Sequence, residues 1–328
     1  MQKVAPTLRI AVLLLVASLV GCANDFAEYS VVDGFRLLAI AADRPALAPG
    51  EQTTVSALVT TKAPDDKVSY RWSWCPYTTG AAGGFRCAVT EAELAQALSA
   101  LSDGAAPAVR YDLGREPTAT IAHAIPPSAL KAACAALRAR QIPGFTEPPD
   151  CEEHLEITVR LEVSDPSGAR IDGVKTIDLR YEAAGADVAE SPNENPRLTE
   201  LTIGRDGVFA LVASDDEPPA LKRDTSVDLR VAVASDASQP YRTRPPDGSG
   251  AESRDESLTF SWFVEAGSID DDRTGFLPGE RSLADAVKNT WTTPRRTDFA
   301  ADHVRLYVVL RDNRGGVSWI ARRVRLED

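Results

Sequence analysis

The sequence predicts a mainly β chain folded as two antiparallel β-sandwiches in tandem, the first carrying two short helical insertions. Three observations predict it. Apolar residues alternate with a period of two, as in Val55, Ala57, Val59 and again in Val227, Leu229, Val231, Val233, which is the period of a half-buried strand. The strand-like stretches are short and broken throughout by 22 prolines and 21 glycines, the punctuation of an all-β domain. Finally, one pattern is used twice: Ser69-Tyr70-Arg71-Trp72-Ser73-Trp74 aligns without a gap with Thr259-Phe260-Ser261-Trp262-Phe263-Val264. In each copy an aromatic residue and a Trp stand two positions apart, on one face of a strand.

The elements of the two copies follow in the same order. Leading strands are expected at 35–40 and 198–203, and the alternating strands named above come next. The approach to the penultimate strand also matches, with residues 120–126 opposite Asn289-Thr290-Trp291-Thr292-Thr293-Pro294. Val159, Leu161, Val163 then lead into Asp165-Pro166-Ser167-Gly168, and Leu306, Val308, Leu310 lead into Asp312-Asn313-Arg314-Gly315. Asp at the first position and Gly at the fourth suit a type I turn, because the Asp carboxylate accepts a backbone N–H and Gly tolerates the exit. The last strands are expected at 174–181 and 317–326. Trp72 and Trp262 are the predicted core markers, each filling the space between two sheets. Residues 34–183 form the first domain, 184–197 a linker containing Ser191-Pro192-Asn193-Glu194-Asn195-Pro196, and 198–328 the second.

Only the first copy has helical insertions. Thr90-Glu91-Ala92-Glu93 reads as a capping box opening a helix with Leu94, Leu98 and Leu101 on one face. Ser128 is read as the cap of a second, running through Leu130 and Leu137 to Pro143-Gly144. The insertions bring four cysteines, Cys75, Cys87, Cys134 and Cys151, an even number that in an exported chain favours disulfides. Nearness in sequence pairs Cys75 with Cys87 and Cys134 with Cys151. The ends of neighbouring strands offer the rival Cys75 to Cys151.

The aromatic-x-Trp strand and the late hairpins at Val159 to Gly168 and Leu306 to Gly315 resemble bacterial immunoglobulin-like domains of the PKD-like kind. The resemblance covers most of residues 34–328 and implies immunoglobulin-like sandwiches. It departs from antibody-type domains in that no Cys pair brackets Trp262, so the second copy relies on packing.

The first residues give an address. Lys3 and Arg9 form a basic region, and residues 10–20 are an apolar run long enough for a signal peptide and too short to span a bilayer. It ends in Leu19-Val20-Gly21-Cys22, which resembles the lipobox of bacterial lipoproteins. That resemblance implies removal of residues 1–21, lipidation of Cys22, and a tether over 22–33. Two or three acyl chains hold a protein on a membrane where one would not. Ala23 in place of Asp after the lipidated Cys leans toward the outer membrane rather than the inner.

Charge excludes one class of partner. The 36 basic residues face 48 acidic ones, a formal charge of −12, and such a chain repels a phosphate backbone, so nucleic acid is not an expected partner.

The residues do not spell a catalytic frame. There is no Gly-x-Ser-x-Gly, His-Glu-x-x-His or Gly-x-x-x-x-Gly-Lys, and His123, His154 and His303 are the three histidines. His154 beside Glu152, Glu153 and Glu156 reads as a polar strand entrance. Asp270-Asp271-Asp272-Arg273-Thr274-Gly275 begins like a calcium loop, but its twelfth position is Arg281, so the bidentate ligand is out of register; a weaker site with Asp215, Asp216 and Glu217 is the alternative. Trp74 and Trp319 could form a sugar-stacking platform or belong to the cores. The late arginines, from Arg295 to Arg325, read as a strand face paired with acids, or else as a patch for a partner or anionic lipid. The reading is a lipid-anchored envelope protein, not an enzyme, without metal or cofactor, acting as a binding or scaffold module with an envelope protein or glycan as partner. Its alternatives are a carbohydrate- or peptidoglycan-binding module and a secreted hydrolase with its site in the first-domain insertions.

Overall fold

The computed structural model describes residues 28–62, 67–101, 109–139, 151, 153–182, 191–213, 215, 218–243 and 252–328. The leader, Cys22, the start of the tether, Asp216 and Glu217 lie outside the described residues, as do residue 183 at the end of the first domain and 184–190 of the linker.

The first half contains β1 (Arg36–Ala42), β2 (Ala46–Leu47), β3 (Gln52–Thr60), β4 (Ser69–Cys75), α1 (Glu91–Leu101), β5 (Asp112–Gly114), β6 (Thr118–Ala122), α2 (Pro127–Ala139), β7 (His154–Ser164) and β8 (Arg170–Arg180). The second contains β9 (Leu198–Arg205), β10 (Val208–Leu211), β11 (Ala220–Lys222), β12 (Ser226–Val233), β13 (Pro240–Thr243), β14 (Glu252–Asp255), β15 (Leu258–Val264), β16 (Ser268–Ile269), β17 (Arg273–Phe276), α3 (Leu283–Ala286), β18 (Lys288–Thr292), β19 (His303–Asp312) and β20 (Val317–Glu327).

Both halves follow one strand plan, that of an immunoglobulin-like sandwich. In the first, sheet β1-β3-β6 faces sheet β2-β8-β7-β4-β5; in the second, β10-β9-β12-β18-β16 faces β11-β20-β19-β15-β17. Even the exceptions repeat: β2 joins β8 in parallel through Ala46 and Leu47, and β11 joins β20 in parallel through Ala220 to Lys222. Trp72 and Trp262 lie fully inside their sandwiches. Each keeps a partner for its indole N–H, Glu116 O at 3.0 Å and Thr274 Oγ1 at 2.9 Å, as a buried Trp requires. The two late turns also match: Asp165 Oδ1 accepts from Ala169 N at 2.8 Å, and Asp312 Oδ1 from Gly316 N at 2.7 Å.

In the insertions, Thr90 and Glu93 close a capping box, Glu93 N donating to Thr90 Oγ1 at 3.2 Å and Thr90 N to Glu93 Oε2 at 2.8 Å, and Leu94 and Leu98 are buried below it. The second helix corrects the expectation at one point. It opens at Pro127, with Leu130 N donating to Pro126 O, so Ser128 sits in the first turn instead of capping it. Proline is favoured there because its missing N–H is one the helix could not have used. Cys75 bonds Cys87 and Cys134 bonds Cys151, and the rival Cys75 to Cys151 pairing is not formed.

The tether and linker expectations need a larger correction, because the sandwiches are packed against each other. A β-bulge between Leu37 and Ala39 gives β1 an extra residue, and Leu38 and Ala39 both join the apolar layer outside the first sandwich. Together with Leu58 of β3 they meet Phe263, Tyr307, Val309 and Val317 from the outer face of the β15-β19-β20 sheet. Arg311 Nη2 donates to Leu38 O at 2.7 Å across this layer, and the Lys175 ammonium reaches Gly315 O.

Residues Ser191 to Arg197, expected as part of a linker, are wedged into the same junction. Asn195 Nδ2 donates to Ala42 O at 2.6 Å and Asp43 O at 3.1 Å, while its Oδ1 accepts from Val317 N at 2.9 Å. A side-chain amide thus replaces a missing sheet ladder on both sides at once. Nor are Ser30 to Val32 a loose tether: Val32 N donates to Val264 O at 2.7 Å and Val264 N to Ser30 O at 2.8 Å. The chain therefore touches the second sandwich before it enters the first. Arg36 locks this entry, donating to Tyr29 O and Val31 O, both at 2.9 Å.

Candidate binding site between the sandwiches

A cleft of about 920 Å³ opens where the packed layer ends, a size in the usual range for small-ligand sites. Its shape follows from side-chain size. Deep in the junction, Leu38 and Leu58 fill the space between the sheets. One step along, the cross-strand pair is Ala41 and Ser56, too small to reach the opposite sheet. Across from this low wall stands Trp319 of β20, packed along one side on the apolar layer and lining the cleft. The remaining walls are the β1–β2 turn and the wedged segment, including Asn193 and Asn195.

The electrostatics lean acidic. Three arginines line the cleft, and each is matched to a carboxylate: Arg44 to Glu51 at 2.6 Å, Arg180 to Glu153 at 3.3 Å and Arg197 to Asp236 at 2.8 Å. Asp43, Glu51 and Glu194 supply three acids to the same lining. Asn193 is 4% exposed and its Nδ2 lies 3.5 Å from Asp312 Oδ1, while its Oδ1 has no hydrogen-bond partner. Such a buried acceptor is uncommon and asks for an explanation.

The other residues singled out in the sequence are not gathered here. Trp74 donates Nε1 to Arg110 O at 2.6 Å and meets Tyr111 edge-on, so it serves the first sandwich and does not share a platform with Trp319. His123 is buried, its Nε2 donating to Arg180 O at 2.6 Å, which orients it toward backbone. His154 lies 3.7 Å from Asp178 on neighbouring strands. His303 opens β19 at the surface, opposite Arg325. At the acidic turn, Asp271 N donates to Asn289 Oδ1 at 3.3 Å and Asp271 O accepts from Asn289 Nδ2 at 2.7 Å, an arrangement that ties the turn to β18. Among the described residues no three Cys, His, Asp or Glu side chains are grouped to hold a metal ion.

The late arginines are engaged as well. Arg295 pairs with Asp224, Arg296 with Asp302, Arg314 with Glu256 and Arg325 with Glu327, while Arg322 and Arg323 donate to Val212 O and Asp215 O. The pairing with acids holds for four of them, but of these only Arg325 lies on a strand, Arg295, Arg296 and Arg314 being in the connections around β19. Sequence reasoning missed the cleft, although one signal was present: Trp262 to Val264 and Tyr307 to Leu310 are apolar at consecutive positions, which marks strands buried on both faces.

No protein-family model matches the chain, and no curated protein matches it either. Among solved structures it is similar to the three N-terminal domains of the bacteriophage RB49 highly immunogenic outer capsid protein, at 12% identity and a TM-score of 0.21, over 89% of this chain and 59% of that one. It is also similar to the D00-D0 domain of intimin, at 11% identity and a TM-score of 0.20, over 88% of this chain and 100% of that one, and to murine CEACAM1b, at 7% identity and a TM-score of 0.21, over 88% of this chain and 100% of that one.

Proposed function

We propose that the chain is a lipid-anchored protein of the cell envelope, more at the outer than the inner membrane, whose paired sandwiches act as one non-catalytic binding or scaffold module. The observation that carries the reading is the junction: an apolar layer, the Asn195 bridge and the docked Ser30 to Val32 segment hold two sandwiches around an open cleft. Support for the address comes from the signal-like run ending in Leu19-Val20-Gly21-Cys22 and from two disulfides, which belong to oxidising compartments. Among the described residues no helix is long and apolar enough to cross a membrane, and an acylated Cys22 needs none. The test is fractionation of cells expressing the wild type or Cys22→Ser, with mass spectrometry of the mature N-terminus. Wild type in the membrane fraction with an acylated cysteine, and the variant displaced from it, is the expected result. Equal recovery of both from membranes refutes the anchor.

A further inference from the structure

We infer that the cleft between the sandwiches is a subsite for an uncharged oligosaccharide, with the Trp319 indole as its stacking surface. The inference rests on reading the chain as a non-catalytic envelope binding module and adds its ligand class. Four observations carry it.

The first is room: the register places Ala41 opposite Ser56, the low point of the β1–β3 outer face, across from Trp319. Leu58 and Leu38 seal the layer beside it, so the gap is local and bounded. The second is the aromatic surface. Trp319 is held by the apolar layer along one side, and an indole fixed in this way presents a flat apolar area that matches the C–H face of a pyranose ring, with little side-chain entropy left to lose. The third is charge. Arg44, Arg180 and Arg197 are each neutralised within the protein by Glu51, Glu153 and Asp236, and the lining adds the carboxylates of Asp43 and Glu194. An anionic ligand would have to displace Glu51, Glu153 or Asp236 from its arginine, whereas hydroxyl groups can donate to a carboxylate, Asp43 and Glu194 included, and accept from a guanidinium without breaking a pair. The fourth is the amide content of the wall: Gln239, Asn193 and Asn195 line the cleft, with Asn193 Oδ1 buried in that wall and without a partner in the protein. Planar amides and ion pairs around one aromatic surface can satisfy ring hydroxyls in both senses.

The test uses the full chain in detergent and isothermal titration with three neutral tetrasaccharides: β-1,4-linked N-acetylglucosamine, cellotetraose and maltotetraose. Saturable binding of at least one is expected. Trp319→Ala should weaken it at least tenfold. Because Trp319 also touches the apolar layer, a second variant acts from the opposite wall: Ser56→Phe fills the gap without removing any cleft hydrogen bond described above, and it should abolish binding while the circular dichroism spectrum is retained. No saturable binding of any of the three, or binding unchanged in Ser56→Phe, overturns the inference. Membrane fractionation of Cys22→Ser reads the anchoring separately, so a failed titration with a normal fractionation result rejects the ligand class and leaves the anchor standing.

Discussion

Leu58 separates a packed pair of sandwiches from two beads on a string. It points outward from β3, away from the core that holds Val55, and in an isolated first domain it would be a surface residue. Truncating such a residue changes stability by less than about 0.5 kcal/mol. In the structure Leu58 is only 9% exposed and packs in the layer with Phe263, Tyr307 and Val309 of the second sandwich. Leu→Ala at buried sites costs about 2 to 5 kcal/mol, and a residue at the margin of a layer belongs at the low end, so Leu58→Ala should cost about 2 kcal/mol. At roughly 2 to 4 °C per kcal/mol for a chain of this size, the midpoint should fall by about 4 to 8 °C. Guanidinium unfolding followed by circular dichroism, supported by calorimetry, measures both quantities. Val208→Ala provides the internal reference, since Val208 is 78% exposed and its truncation should stay within about 0.5 kcal/mol. A cost for Leu58→Ala no larger than that of Val208→Ala would refute the packed junction.

The disulfides should matter about equally. Loops of 12 and 17 residues are closed by the two bonds, each contributing about 3 kcal/mol, so Cys134→Ser with Cys151→Ser should lower the denaturant midpoint, and a reductant should add nothing further at that site. Tyr307 is buried beside Glu265, and burial pushes its hydroxyl up from 10.0 to about 12. The unfolded chain then loses this proton first, so stability present below pH 10 should fall as pH rises toward 12; Tyr307→Phe should show a shallower decline, and parallel curves would dismiss the assignment. Gly267 has a φ of +88°, and a Cβ there would stand 2.3 Å from Thr292 O, so Gly267→Ala should cost at least about 2 kcal/mol. Gly207, with a φ of +83° and open space around it, should accept Asn at a cost of a few tenths of a kcal/mol; equal effects at both glycines would contradict the geometry.

Within each half, the fold was largely written in the residue pattern. Alternation located β3, β12, β7 and β19, the Trp strands located β4 and β15, and the Thr90–Glu93 box located α1, because in each case local chemistry and tertiary packing ask for the same residue. The short strands were harder to see. β2 and β11 have two and three residues and exist because a neighbouring last strand offers unpaired backbone. The β13–β14 ribbon likewise depends on partners nine to fifteen residues away, from Thr243 with Glu252 to Pro240 with Asp255. The junction was misread for a different reason: an outward Leu38 or Leu58 has the spacing of a surface residue, and only the second sandwich reveals that it is covered. Asn193 and Asn195 sat in a segment whose prolines suggested a linker, yet amides flanked by proline also suit a wedge whose hydrogen bonds come from side chains. The cleft was invisible for the same reason, since Ala41, Ser56 and Trp319 meet only after two sheets far apart in sequence come together.

The pairing of Ser30 and Val32 with Val264 carries a temporal consequence. These early residues cannot settle until the second sandwich has formed around β15, so during synthesis the start of the body stays unstitched while almost everything after it is made. Residues 30 to 32 stay slack until completion of the last fold draws them in. Final maturation of the N-terminal half is thus timed by the C-terminal half, which makes a truncated product recognisable by its loose front end.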